Sequence, residues 1–578
     1  MAGFTTRPVV MGTHGMVAAG HYTAALLGFE MLERGGNAID AGVAAVFALT
    51  LLKPYECGMG GECPILIFRP AGGPGPNPVA VSGQGIAPRR ATIDWFHDRG
   101  YDAIPGRGLL PATVPATFGA LVTTLMRYGR LGLRETLGPV VELARAGYPL
   151  YPAMRDVLDE HASVFAGEWP TTGAVYLEGG TVPPIGTLVR PAAWAETFGA
   201  ILDVERRRRR HGREAALQAC LDHFYRGPVA QRIEAFVGRT TVADEAGRMA
   251  GGLLEAQDLA AFQTTFEHPA TVRYRGLDVY KCPPWSQGPV FLQQLALLQG
   301  FDLRAMGHNS GPYVHTVVEA AKLAFADRER YYGDPRFADV PLEALLEAGY
   351  TTARRGLIDP DRASGALRPG TVTATAAGRG PRSAGDTTHI DAVDAEGNMF
   401  SATPSGGWFQ SSPVIPELGF PLGTRAQQFN LAAGHPNALA PGKRPRTTLT
   451  PSLVLRDGAA HMVFGTEGGD NQDQWTLQFF LNVVEFGMDL QAAIDAPLVH
   501  SLHFPSSFYP HDAHPLRVVV EKRLAGPVGD ALARRGHEVV VAEDWTSGHV
   551  TAIRYTPGSG LLEGAASPRT MTAYAIGR

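Results

Sequence analysis

Thr387 lies between Asp386 and the run Thr388-His389. A threonine hydroxyl is a weak nucleophile at neutral pH unless a base removes its proton. An amino-terminal threonine brings its own base. Scission of the Asp386–Thr387 bond would free an α-amine with an unperturbed pKa of about 7.7–8.0 beside the hydroxyl, so one residue could supply both nucleophile and base. His389 is then not needed for proton transfer, and its place in an alternating strand pattern gives it a structural role. Two adjacent threonines alone are more simply two strand residues. Their surroundings decide the matter.

Thr387 opens a β-rich stretch. Thr387–Val393 and Met399–Thr403 flank a turn at 394–398 and form a hairpin. A second hairpin pairs Ser452–Leu455 with His461–Phe464 across Asp457-Gly458, a favoured turn dipeptide. Gly468-Gly469 then lead into an apolar helix over Gln474–Phe486. Upstream, Ala363–Gly385 is rich in small and polar residues, cannot contribute much core, and is expected to be a flexible linker.

The first part of the chain supplies packing elements. Residues His21–Arg34 carry apolar side chains at helical spacing and stop at Gly35-Gly36. Ile39–Leu52 holds a single charge, Asp40, and would span about 21 Å as a helix, short of the roughly 30 Å of a bilayer core, so a buried helix is expected. Glycine-rich Cys57–Gly61 breaks into Pro64–Phe68, an apolar run typical of a buried strand. No period of 20–50 residues marks a repeat architecture.

Composition narrows the function classes. The 578 residues are 45% hydrophobic and 19% charged, which excludes a long solvated polymer. A formal net charge of −5 on so large a surface gives no field for nucleic acid or anionic membrane. The one dense basic run, Arg206–Arg210, lacks interleaved aromatics and is expected to be a solvated helix face. Cys57, Cys63, Cys220 and Cys282 show no metal-binding spacing and are expected to be buried thiols. No metal, nucleotide or other cofactor is called for. Met1–Met11 lacks an apolar signal core, so the cytoplasm is the expected compartment.

Several motifs in one order carry a family resemblance. They are Gly35–Ala41, Gly58-Met-Gly-Gly61, Glu319–Arg328 with Gly333-Asp-Pro335, Asp386–His389, Asp394–Asn398, Pro441–Pro445, Gly468-Gly469 and Gly564–Arg569. The chain resembles the γ-glutamyltransferase family of N-terminal nucleophile hydrolases over nearly its whole length. The resemblance implies an α+β fold in four αββα layers and autocatalytic cleavage before Thr387. It also implies a large subunit of residues 1–386 and a small subunit of residues 387–578, intertwined and able to form a homo-oligomer. The chemistry implied is acyl transfer or hydrolysis of a small-molecule substrate through an acyl-threonine.

Carried over by position, Thr387 matches the nucleophile and Ser405 a hydroxyl that orients the freed amine. Gly468 and Gly469 match oxyanion-hole amides, worth about 3–4 kcal/mol each. Thr447 and Thr448 replace a substrate-touching serine pair and add methyl bulk, which implies a narrower pocket. Asp470, Asn471 and Asp473 are expected to cap the following helix.

The departures concern the acyl group. Ile93 replaces the arginine that grips the α-carboxylate of a γ-glutamyl group. Gly407 and Gln428 replace the asparagine and aspartate that hold its α-ammonium. Arg425 stands where the family has a neutral amide, and it either holds an acid group on a short acyl donor or makes a structural ion pair. Between Phe429 and Pro441 the chain is shorter than in lidded relatives, which implies room for larger leaving groups. These features are similar to oxamate amidohydrolase-like and glutaryl-cephalosporin acylase-like branches. A conventional glutathione hydrolase, a relative cleaving an activated carbon–carbon bond, and an unprocessed scaffold are the alternatives.

Overall fold

The computed structural model describes residues 4–372 and 387–578. Asp386 and residues 373–385 of the expected linker lie outside that range. Two seven-stranded antiparallel sheets stack face to face. The first runs Val10–Gly12, Leu561–Ala566, Thr551–Thr556, Ala459–Gly465, Ser452–Arg456, Leu277–Lys281, Ala270–Tyr274. The second runs Tyr574–Gly577, Gly15–Ala19, Ile390–Asp394, Met399–Ala402, Ile65–Phe68, Val79–Ser82, Thr265–Glu267.

Between the sheets lies a core of Met16, Leu66, Trp285, Val393, Leu453, Val463 and Ile553. The helices Tyr22–Glu33 and Ala38–Leu52 cover the outer face of the second sheet, Pro289–Leu298 and Gln472–Val484 cover that of the first, and Gly311–Tyr331 packs on Pro289–Leu298. This is the four-layer αββα arrangement. Sandwiching explains why Gly15–Ala19 and Ile390–Asp394 are buried at every position, with no alternation of polar residues.

Local chemistry fixes the elements. Ala38–Leu52 is buried along its whole length, and its one charge belongs to a cap. The Asn37 side chain accepts from the Asp40 amide at 3.1 Å while the Asp40 carboxylate accepts from the Asn37 amide at 2.8 Å. The turn between Ser452–Arg456 and Ala459–Gly465 has Asp457 at φ 50° and Gly458 at φ 77°, the paired positive values of a tight hairpin turn. All four cysteines are buried and free. Among the described residues no helix is long and apolar enough to cross a membrane.

Two expectations are corrected. The described start of the linker, Ala363–Val372, is tied down: the Ser364 carbonyl accepts from Lys322 at 3.1 Å, the Gly370 amide donates to Asp327 at 2.7 Å and that of Val372 to the Tyr331 hydroxyl at 2.9 Å. Its partners sit on a buried helix far away in sequence, which composition cannot reveal. The hairpin also begins later, at Ile390, because Thr387 pairs across to Ser405 outside the ladder.

Candidate active site

Thr387 is fully buried at the lead-in to a central strand. Its Oγ1 lies 3.0 Å from the Ser405 Oγ, and the two residues form an isolated antiparallel bridge. The Thr388 amide donates to the Pro404 carbonyl at 3.3 Å, and the His389 carbonyl accepts from the Gly20 amide at 3.0 Å. Asp386, across the expected scission, is outside the described residues.

The Ser405–Gly407 loop is held against the glycine-rich motif. Glu62 and Ser405 exchange backbone hydrogen bonds of 2.8 and 2.9 Å. A Cβ on Gly61 would sit 2.2 Å from the Ser405 carbonyl oxygen, and one on Gly58 would sit 2.5 Å from that of Gly407. Only bare backbone allows this approach. Gly407, with φ 69°, is thus a packing position against Gly60 and Gly61.

Glu62 is the hub of what surrounds the loop. Its Oε1 accepts from the Thr447 hydroxyl at 2.7 Å and lies 3.0 Å from the Nε of Arg425. That contact is an ion pair misaligned for a hydrogen bond, and both Nη atoms of Arg425 also lack hydrogen-bond partners. The guanidinium is fully buried, 4.9 Å from the Trp408 ring centre and 5.6 Å from that of Phe508. Burial raises the Glu62 carboxyl against the pull of Arg425 and the Thr447 hydrogen bond. Burial also lowers Arg425, with Glu62 opposing. In both partners desolvation outweighs the pairing. Thr448 Oγ1 and Glu62 Oε2 are buried without partners as well.

Gly468 and Gly469 adopt φ 110° and 55° before the helix Gln472–Val484. A Cβ on Gly468 would fall 2.1 Å from the Trp475 ring, and one on Gly469 would fall 3.0 Å from Phe508. Gln287 donates to the Gly469 carbonyl at 3.5 Å through its side chain and to that of Thr447 at 2.8 Å through its backbone. Thr387, Ser405, Glu62, Thr447, Gln287 and Gly469 therefore form one connected set. Gln428 ends the short turn Arg425–Gln428 with neither amide atom hydrogen-bonded. Ile93 stands in the first turn of Ile93–His97 and packs with Phe96, Ala426, Phe429 and Leu431, offering apolar surface and no charge.

The acids after the glycines are not caps. Asp470 pairs with Arg328 and accepts from the Ser507 amide and hydroxyl, both at 2.7 Å, which pins the loop carrying Phe508. Asp473 is buried 3.0 Å from Lys281 Nζ and accepts from Thr450 Oγ1 at 3.1 Å. Burial pushes its carboxyl up to about 6 against Lys281. The helix begins at Asn471 with no side-chain cap. His389 is engaged at both ring nitrogens, with Thr403 Oγ1 at 2.9 Å and Asp391 Oδ1 at 3.0 Å.

Among the described residues, His315, Glu319 and His537 form a buried cluster spaced to hold a cation. The Glu319 oxygens already face Lys322 at 2.6 Å and Arg368 at 3.0 Å. Two cations beside the carboxylate oppose a third.

Glu62, Trp408, Phe508, Gln287 and Lys281 were not singled out from sequence. Only Glu62 carried a signal, as a lone acid inside the buried stretch Cys57–Phe68.

The profile of the family described as Gamma-glutamyltranspeptidase matches residues 24–577. The glutathione hydrolase proenzyme of Escherichia coli (strain K12) is 29% identical over 98% of this chain and 92% of its own. The structure of LmbA2991HD superimposes with a TM-score of 0.94 at 43% identity, covering 100% of both chains. The cephalosporin acylase from Bacillus halodurans gives 0.85 at 29% identity, covering 100% of this chain and 98% of that one.

Proposed function

The chain belongs to the gamma-glutamyltranspeptidase family, and on that premise we propose that it is a self-processing hydrolase or acyltransferase whose nucleophile is Thr387 and whose acyl donor carries a carboxylate. Cleavage before Thr387 yields fragments 1–386 and 387–578. The freed amine takes the proton from Oγ1 as that oxygen attacks the donor carbonyl, and the amine then passes the proton to the departing nitrogen. An ester on Thr387 remains. Water or a second amine attacks it, delivering its proton to the same base. Ser405 holds the hydroxyl in place, and the amides of Gly468 and Gly469 receive the developing oxyanion.

The observation that carries the choice of donor is Arg425, a buried guanidinium beside the Ser405–Gly407 loop with both Nη groups unpartnered. A carboxylate on the acyl chain would satisfy them. A γ-glutamyl head group fits poorly: Ile93, Gly407 and Gln428 offer no charge where the amino acid would need it, and an unpaired buried ammonium costs several kcal/mol.

Mass spectrometry of mature protein mixed with a glutaryl amide is the test. The 387–578 fragment should gain one glutaryl mass, localised to its first residue. Turnover without such an adduct, or with the adduct elsewhere, overturns the proposal.

A further inference from the structure

A cavity of about 840 Å³ adjoins the Arg425–Phe508 stack. Gln428, one turn after Arg425, is on its wall, and so is Tyr509, which follows Phe508. The walls come from both sides of Thr387 in sequence, Gly100 and Ala246 from upstream and Phe429, Ala432 and His511 from downstream. A space of this size suits a drug-sized molecule and exceeds what a short acyl chain on Arg425 would fill.

The lining states what belongs there. Gln428 Oε1 and Nε2, Arg446 Nε and His511 Nε2 are buried polar atoms with no hydrogen-bond partner in the protein. Gln428 and Arg446 are 2% and 3% exposed. Such atoms cost free energy until a ligand or water meets them. The buried charges are spent: Glu329 is matched by Arg446 at 2.8 Å, and burial drives the His435 and His511 imidazoles toward their neutral forms. The charges left on the wall, Asp102 and an Arg248 paired with Asp244 at 3.1 Å, are solvent-exposed. Phe429, Leu431 and Pro505 supply apolar surface. The buried part of the wall therefore favours a neutral body with at least one donor and one acceptor.

We infer that this cavity is the leaving-group subsite, receiving the neutral, hydrogen-bonding body of a bulky amine whose acyl carbonyl is presented to Thr387. The inference rests on the acyl-transfer reading above. The amine nitrogen leaves carrying the proton first taken from Thr387 Oγ1, while its body stays in the cavity until the ester is formed. A bulky amine acceptor would occupy the same space in the reverse sense.

The test is equilibrium binding of 7-amino-4-methylcoumarin to the mature protein, which requires no turnover. Ala432→Trp and Ala246→Trp place bulk on the lining at two exposed positions. Each should weaken coumarin binding about tenfold, equivalent to about 1.4 kcal/mol. Gln428→Ala should weaken it by a similar factor. The KM for glutaryl-aminomethylcoumarin should rise about tenfold relative to that for glutaramide. Fragment masses and Tm report whether each variant folds and matures. No coumarin binding by the native protein, or equal binding by native protein and both wall variants, overturns the subsite. Binding that the wall variants abolish, with no glutaryl amide turned over, supports the subsite and overturns the acyl-donor reading alone.

Discussion

Arg425 approaches Glu62 through its Nε at 3.0 Å, and both of its Nη groups reach no acceptor in the protein. A purely structural pair brings an Nη onto the carboxylate beside Nε, as Arg554 does with Glu563 at 2.7 Å through both atoms. Arg425→Ala should lower kcat/KM for glutaryl amides about a hundredfold, near the upper end of the 1.5–3 kcal/mol typical of a hydrogen bond to a charged group. Butyryl amides should lose far less. Because alanine strands Glu62 in the core, the paired change Glu62→Gln with Arg425→Met provides a neutral control. Equal losses for both donors in both variants would assign Arg425 to architecture.

Thr387→Ala should leave a single full-length chain after prolonged incubation and no turnover, whereas Thr387→Ser should still mature. Intact mass distinguishes these outcomes. Normal cleavage of the alanine variant would move the nucleophile elsewhere.

Ser405→Ala removes the hydroxyl 3.0 Å from Thr387 Oγ1. Acylation should slow by about tenfold, roughly the 1.4 kcal/mol within reach of one orienting hydrogen bond, with little change in KM. A burst experiment reads the acylation step directly, and an unchanged burst rate would count against any role for Ser405.

Part of the acid sensitivity should lie with Glu329. Burial alone would raise its carboxyl, but Arg446 and Arg328 hold it down at about 2. The folded value lies below the unfolded one, so its stabilising contribution is complete above about pH 4.5 and is lost as the pH falls toward 2. Urea midpoints measured across this range should fall more steeply for native protein than for Glu329→Gln. Parallel slopes would show that Glu329 is not the linked group.

The elements of the fold were legible because they rest on local pattern, whereas their four-layer stacking was implied by the family resemblance. Ala38–Leu52 and both hairpins follow from apolar runs and turn dipeptides, and the structure moves their ends by a few residues at most. The candidate site was readable through the family resemblance carried by motifs such as Gly58–Gly61 and Asp386–His389, since two adjacent threonines alone look like strand. It was not where a partner lies far along the chain. Asp470 and Asp473 look like caps until Arg328 and Lys281 arrive from another layer. Arg425 left two readings open because neither Glu62 nor the Trp408 and Phe508 rings could be placed beside it from spacing.

The strand ladders carry one last implication. Gly15–Ala19 is flanked by Ile390–Asp394 and Tyr574–Gly577, Ile65–Phe68 borders Met399–Ala402, Leu277–Lys281 borders Ser452–Arg456, and Val10–Gly12 borders Leu561–Ala566. Each of these seams joins a piece upstream of Thr387 to one downstream. A nick there would alter the covalent thread while leaving the woven body whole. Either half made by itself would present raw sheet margins to its neighbours.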